Sequence, residues 1–319
     1  MAQTKMPTKQ LPVVTSIGTP GLDTNIPSEK AVRTAISNIT GSSSTGTSGA
    51  GTGFIYPACG RLTLTSVTPV TTSDVTGATT LYYTPYTGDQ IALYNGATWD
   101  LITFPEISIA IPSGTSQMYD VFIYNNGGTA TLELLAWTSD TARATALVLQ
   151  NGILCKTGAL TRRYVGSVRT TTVSGQTEDS IVNRFLWNYY NRVPRLLQKS
   201  EATNHTYATV AYRYWNNDTT QHVNYICGVV EELSVYNLYA LVNSSNTSYL
   251  SRVTVGEDKS NGSSYCLLAT FVTQLGPQGM AQKAYPLLGY HYLAMLEYVN
   301  NVGNTGVFNQ YFFTGEIKG

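Results

Sequence analysis

The chain has 319 residues with 19 basic and 19 acidic side chains, and only 12% of its residues are charged. Soluble domains carry about 25%, yet an apolar fraction of 42% with 23 tyrosines excludes the composition of a disordered chain, and no long basic run offers a footprint for nucleic acid. No stretch approaches the ~18 apolar residues of a bilayer span, and Lys5 and Lys9 lead into no apolar leader segment.

Residues 1 to 24 are polar and broken by Pro7, Pro12 and Pro20, with Pro12-Val13-Val14 able to add an edge strand to a partner. Pro27 and Ser28 open a helix over 28–39, with Glu29 at its positive end. Val32, Ala35, Ile36 and Ile39 form one narrow apolar stripe, too small for a core of its own. The Gly/Ser/Thr run over 40–53 has no large side chain to bury and reads as a flexible tether. A peg on a leash suits a component that docks on a larger assembly.

From Ile55 the texture becomes β. Arg61 to Thr65 alternates, and Gln90–Tyr94 and Thr98–Ile102 flank the turn residues Asn95-Gly96. Ile107, Ile109 and Ile111 mark one strand face. Asn125-Asn126-Gly127-Gly128 and Asn151-Gly152 punctuate two more hairpins, and this spacing predicts an antiparallel sandwich or barrel over 55–165. Over 166–319 we expect a second, jelly-roll-like β domain. In it Phe185, Trp187 and Tyr189 share one strand face, and Leu186, Asn188 and Tyr190 the other. Tyr207 to Trp215 alternates, Val229–Val242 favours strand over helix, and Leu267–Val272 and Leu287–Tyr298 read as paired late strands. The fold expectation is therefore mainly β, with an N-terminal arm over 1–54.

Several phrases resemble bacteriophage tail and tail-fibre proteins. They are Pro27-Ser28-Glu29-Lys30-Ala31-Val32-Arg33, Gly60 to Thr65 with Asp74-Val75-Thr76, Thr79 to Tyr86, Ile91 to Gly96, Thr161 to Gly166, and Asn183 to Val193. The resemblance runs from Pro57 to about Arg195 and more weakly beyond. It implies a virion structural protein, assembled in the host cytoplasm, whose arm meets other virion proteins of tail, baseplate or capsid. It also suggests a homotrimer that recognises a host-surface glycan or protein. Alternatives are a capsid head fibre or decoration protein and a polysaccharide-degrading tailspike.

Chemistry-bearing clusters are thin, and we expect no enzyme, no cofactor and no metal. His205, His222 and His291 lack metal-ligand spacing. Cys59, Cys155, Cys227 and Cys266 form no Cys-x-x-Cys pair and read as reduced thiols. Glu178-Asp179, Glu231-Glu232 and Glu257-Asp258 are adjacent pairs, and strand neighbours point to opposite faces, so adjacency builds no hydrolytic site. Each pair reads as an exposed turn or strand edge, and Arg162-Arg163 as a solvated strand end. Tyrosines and asparagines between Asn188 and Tyr225 are the better lead. Trp215, Asn216, Asn217 and Asp218 read as an exposed tip, the candidate receptor-binding residues.

Overall fold

The computed structural model describes residues 56–270 and 276–319. The arm over 1–54, with its helix, tether and the stripe Val32, Ala35, Ile36 and Ile39, lies outside them. Strands follow the alternating segments in close order. The first half holds β1 (Gly60–Thr63), β2 (Val75–Ala78), β3 (Thr80–Pro85), β4 (Gln90–Tyr94), β5 (Trp99–Thr103), β6 (Ile107–Ala110), β7 (Met118–Asn126), β8 (Thr129–Ala136), β9 (Leu147–Gln150), β10 (Ile153–Lys156) and β11 (Ala159–Arg169). The second holds β12 (Thr177–Asp179), β13 (Asn183–Arg184), β14 (Leu186–Asn188), β15 (Pro194–Glu201), β16 (His205–Tyr207), β17 (Arg213–Tyr214), β18 (His222–Cys227), β19 (Ser234–Ser244), β20 (Ser251–Glu257), β21 (Tyr265–Thr270), β22 (Gly276–Ala284), β23 (Gly289–Val299) and β24 (Gly306–Lys318).

The three expected hairpins form. Gly127 and Gly128 make a two-residue loop with φ of 60° and 94°, and Asn151 and Gly152 another with φ of 51° and 85°. Left-handed residues at both central positions match the twist of the flanking strands. At the third, Asn95 Oδ1 accepts from the Ala97 and Thr98 amides and closes the β4–β5 loop.

The chain is mainly β, in several sheets that are antiparallel apart from one parallel pairing of β13 with β18. A five-stranded sheet runs β15-β24-β19-β22, with β16 also on β24. An eight-stranded sheet runs β2-β12-β13-β18-β23-β20-β21, with β17 on β23. Their inner faces share one core: Leu238, Val242, Phe308 and Phe313 from the first meet Val223, Val253, Leu293 and Met295 from the second. A six-stranded sheet, β8-β7-β11-β10-β9 with β14 on β11, packs a core on each face of its central strands. One face joins β1, β3 and β4 through Leu62, Leu81, Ile91, Val121 and Val165, and the other packs Phe122, Tyr164 and Trp187 against Ile226.

Residues 56–319 form one compact unit, and the division placed between 165 and 166 falls within β11. Strand β2 crosses that division to pair with β12, and β7 crosses it to pair with Gly166–Arg169 of β11. The two-faced reading of 185–190 holds: Phe185 and Trp187 enter one core with Tyr189 against it, and Leu186 enters the other with Tyr190 against it. Asn188 Nδ2 donates to Leu62 O at 3.2 Å, and its Oδ1 accepts from Leu62 N at 2.7 Å. Gly166, opposite Asn188, has no room for a side chain, since a Cβ there would sit 2.3 Å from Trp187 O. The late strands differ from expectation: β21 and β23 do not pair with each other, because β20 lies between them.

Charge is spent inside. Asp179 lies between Arg184 (2.9 Å) and Arg195, and all three are almost fully buried. Arg163 is also buried, at 1% exposure, so it is not a solvated strand end. It donates to the carbonyls of Tyr56, Pro57 and Ala92 and stacks on Tyr190. Arg162 pairs with Glu133 and lies on Tyr124.

Breaking a buried ion pair strands the remaining charge and costs about 3–5 kcal/mol. Asp179→Ala should lower the unfolding free energy read from urea titration by that much. Tryptophan fluorescence and far-ultraviolet circular dichroism should still report one coincident transition, because sheets and cores cross the 165/166 point. Two separated transitions in the parent protein would contradict a single cooperative body.

Candidate functional site

The sequence-derived tip divides. Trp215 is fully buried and packs edge-on against Phe308 and Tyr311, with centroids 5.6 and 5.1 Å away. It is a core residue, not an exposed contact. The short 3-10 turn Trp215–Asn217 turns its aromatic member inward, and Asn216 and Asn217 take φ of 53° and 57°. Asn217 is exposed, while Asn216 and Asp218 are half-buried. Asp218 is committed to the turn: it accepts from the amide and hydroxyl of Thr220 and from Gln221 Nε2. These bonds hold its carboxyl below the ordinary carboxylate value.

The other aromatics of this segment are likewise engaged. Tyr212 stacks on Tyr298 at 4.5 Å, Arg213 lies over Tyr207 at 3.9 Å, and buried Tyr225 donates to Glu257. They form no continuous face. The acidic pairs also go separate ways. Asp179 joins the buried arginines, whereas Glu178 accepts from Ser180 and Asn183. Glu231 and Glu232 face Arg192, and Asp258 meets His291. Asp179 and Glu257 are buried, so these two were misjudged as exposed. Burial pushes the Cys155 thiol up to about 11 and Cys227 to about 12, as for structural thiols. Among the described residues, no cluster of three or more His, Cys, Asp or Glu could hold a metal ion, and no helix is long and apolar enough to cross a membrane.

A concavity appears where sequence reading did not place one, on the outer face of the five-stranded sheet. It encloses about 590 Å³, within the range of ligand sites. Register explains its floor. Tyr239 on β19 lies directly opposite Phe312 on β24, and Phe312 lies opposite Ser200 on β15. Leu241 pairs with Gln310 in the next row outward. On the far side Tyr239 faces Gly279, and a Cβ there would stand 3.0 Å from the tyrosine ring, so the missing side chain lets the ring lie over β22. Tyr239 and Phe312 are 51% and 41% exposed, whereas their neighbours Leu238, Ala240, Tyr311 and Phe313 are buried in the sandwich. Period-2 alternation thus puts core and groove on opposite sides of the same strands. The signal in sequence was the alternation of 234–244, but a strand's outer face cannot be told from its inner one without its partners.

Glu201 is the acid among the described groove residues, at its end. Its Oε1 accepts from the Ala202 and Thr203 amides, and hydrogen bonds from the Thr203 side chain, then from these amides, hold its carboxyl below the ordinary range. A second concavity, about 570 Å³, lies between the β9–β10 hairpin and residues 228–230. Its lining is mostly aliphatic, and its one cation, Arg143, is taken by Asp120 and Gly228 O.

No protein-family model and no curated protein matches the chain. Solved structures similar to parts of the chain at low scores include a structure of infectious bursal disease virus, Gx strain, at TM-score 0.28 and 10% identity, over 79% of this chain and 73% of that one. The CBM36-1 domain of a multidomain xylanase from the hindgut metagenome of Trinervitermes trinervoides scores 0.22 at 11% identity, over 36% and 95%. A glycoside hydrolase family 43 arabinoxylan arabinofuranohydrolase from Bacillus subtilis scores 0.24 at 13% identity, over 73% and 63%. Scores this low carry no functional argument.

Two expectations follow for the tip. Trp215→Ala should cost about 3–5 kcal/mol of stability, the usual loss for a large aromatic cut from a core, and urea unfolding measures it. Beneath Trp215, fully buried Glu297 meets His205 Nε2 and Arg213 Nε. Burial opposes protonation of His205, but its hydrogen bonds to Glu297 and Thr203 O outweigh this and raise it above the usual 6.5. A raised imidazole contributes stability fully below 6.5 and loses it as pH rises through the folded-state value. The stability gap between the parent and His205→Gln should therefore be largest below 6.5 and shrink as pH rises above it. A gap that widens with pH would contradict this assignment.

Proposed function

We propose that the chain is a bacteriophage virion structural protein, tail-fibre or spike-like, that recognises the host surface without catalysis. In this reading residues 1–54 are the attachment arm, with Val32, Ala35, Ile36 and Ile39 as its apolar contact. The body over 56–319 faces the host, its second half is jelly-roll-like, and the protein acts as a homotrimer on the assembled particle. The observation that carries the recognition role is the groove floored by Tyr239 and Phe312, an aromatic pair left exposed on a rigid sheet. Aromatic side chains of low rotamer freedom are efficient contact residues. Glycoside hydrolysis uses two carboxylates about 5–9.5 Å apart. The groove's acid, Glu201, spends one oxygen on backbone amides, which supports binding over cleavage.

Gold-labelled antibody against the body locates the protein on particles. Label on the tail supports the proposal, label over the capsid favours a head fibre, and unlabelled particles overturn it. Val32→Asp with Ile36→Asp should strip the protein from particles, because two charges would enter an apolar contact at several kcal/mol. The melting temperature of the body should be unchanged.

A further inference from the structure

We propose that the groove on the outer face of β15, β24, β19 and β22 binds an uncharged glycan chain. This rests on the recognition role above and names its ligand class.

The floor is the first argument. Tyr239 and Phe312 are direct cross-strand partners on one face, so their Cβ atoms stand about 5 Å apart, and both rings are exposed there. Sugar rings present C–H faces that stack on aromatic rings and hydroxyl edges that need hydrogen-bonding partners. Those partners surround the rings. The hydroxyls of Ser200 and Tyr239 and the amide of Gln310 bond no other protein atom among the described residues. In the next row toward the other end, Gln198, Thr314 and Asn237 continue the same face by register. Unspent neutral donors and acceptors beside exposed rings match a polyhydroxyl ligand.

Charge complementarity narrows the class. No Lys or Arg is among the described groove residues, and the one ionised group there is Glu201. Nucleic-acid bases also stack on aromatic rings, but their phosphates need cations. An acidic polysaccharide would meet no counter-charge and one carboxylate. The Lys318–Glu316 pair, at the opposite end of β24, neutralises itself. An uncharged polymer is what this lining accommodates without leaving an ion unpaired.

Position in the sheet argues against a peptide strand. Extended peptides bind at sheet edges, where unpaired backbone groups supply the ladder. The groove lies over β24 and β19, which are both paired on their two sides, so their backbone offers no free ladder to a ligand. Contact must come from side chains.

Purified full-length protein would be tested on an array of uncharged and acidic oligosaccharides, beside Tyr239→Ala, Phe312→Ala and Gln310→Ala, each with a melting curve. These residues are exposed, so folding should be retained. We expect retention on uncharged glycans and at least tenfold weaker binding for the two aromatic variants at unchanged melting temperature. Binding confined to acidic glycans, binding untouched by both aromatic variants, or no glycan retained would each overturn the inference. Particle labelling reads the other proposal separately. Labelled particles with a glycan-blind protein sink only the ligand class, and a glycan-binding protein absent from particles sinks only the virion role.

Discussion

Four consecutive residues, Phe185 to Asn188, set the constraint on which the body depends. Each is buried, and together they serve three obligations: Phe185 and Trp187 one core, Leu186 another, Asn188 the backbone of Leu62. A strand that serves two cores cannot shift register by one residue without emptying both. Its neighbour β11 is bound by the same rule, since Tyr164 and Val165 go opposite ways and Gly166 leaves space for Trp187 O. The sheets on either side are thereby fixed relative to each other.

Electrostatics follow the same economy. Arg61, Arg163, Arg184 and Arg195 are buried and held by carbonyls or by Asp179, while Asp120 holds Arg143 and Ser167. Breaking any of these leaves an uncompensated ion in a low-dielectric setting, so each enforces one geometry. In a chain only 12% charged, ions placed inside are ions withheld from the surface. At the groove the outer face of β24 and β19 carries rings, an amide and a hydroxyl, with Glu316 and Lys318 at the far end of β24.

Much of this architecture was legible in the residues. Period-2 alternation and Asn/Gly turns located β4 and β5, β7 and β8, and β9 and β10, because local chemistry alone sets those hairpins. The two faces of 185–190 could be read because both carry large side chains. Where the reading failed, the missing information was non-local. Trp215 beside three polar residues looks like an exposed tip until Phe308 and Tyr311, some ninety residues away, are seen to enclose it. Strand β20 separates β21 from β23, and no periodicity within one segment reveals what will be inserted between two others. The groove was hidden for the same reason: Tyr239 and Phe312 alternate with buried neighbours as any amphipathic strand does, and only the pairing of β19 with β24 makes them a pair.

The floor of the proposed glycan groove carries no charge, and this has an environmental consequence. Contacts between opposite charges weaken as dissolved ions shorten the Debye length, from ~30 Å at 0.01 M to ~3 Å at 1 M. Stacking on Tyr239 and Phe312 draws on no such field. A ligand seated there would keep its stacking contacts from fresh water to brine, with its encounter rate set by diffusion and orientation instead of long-range attraction.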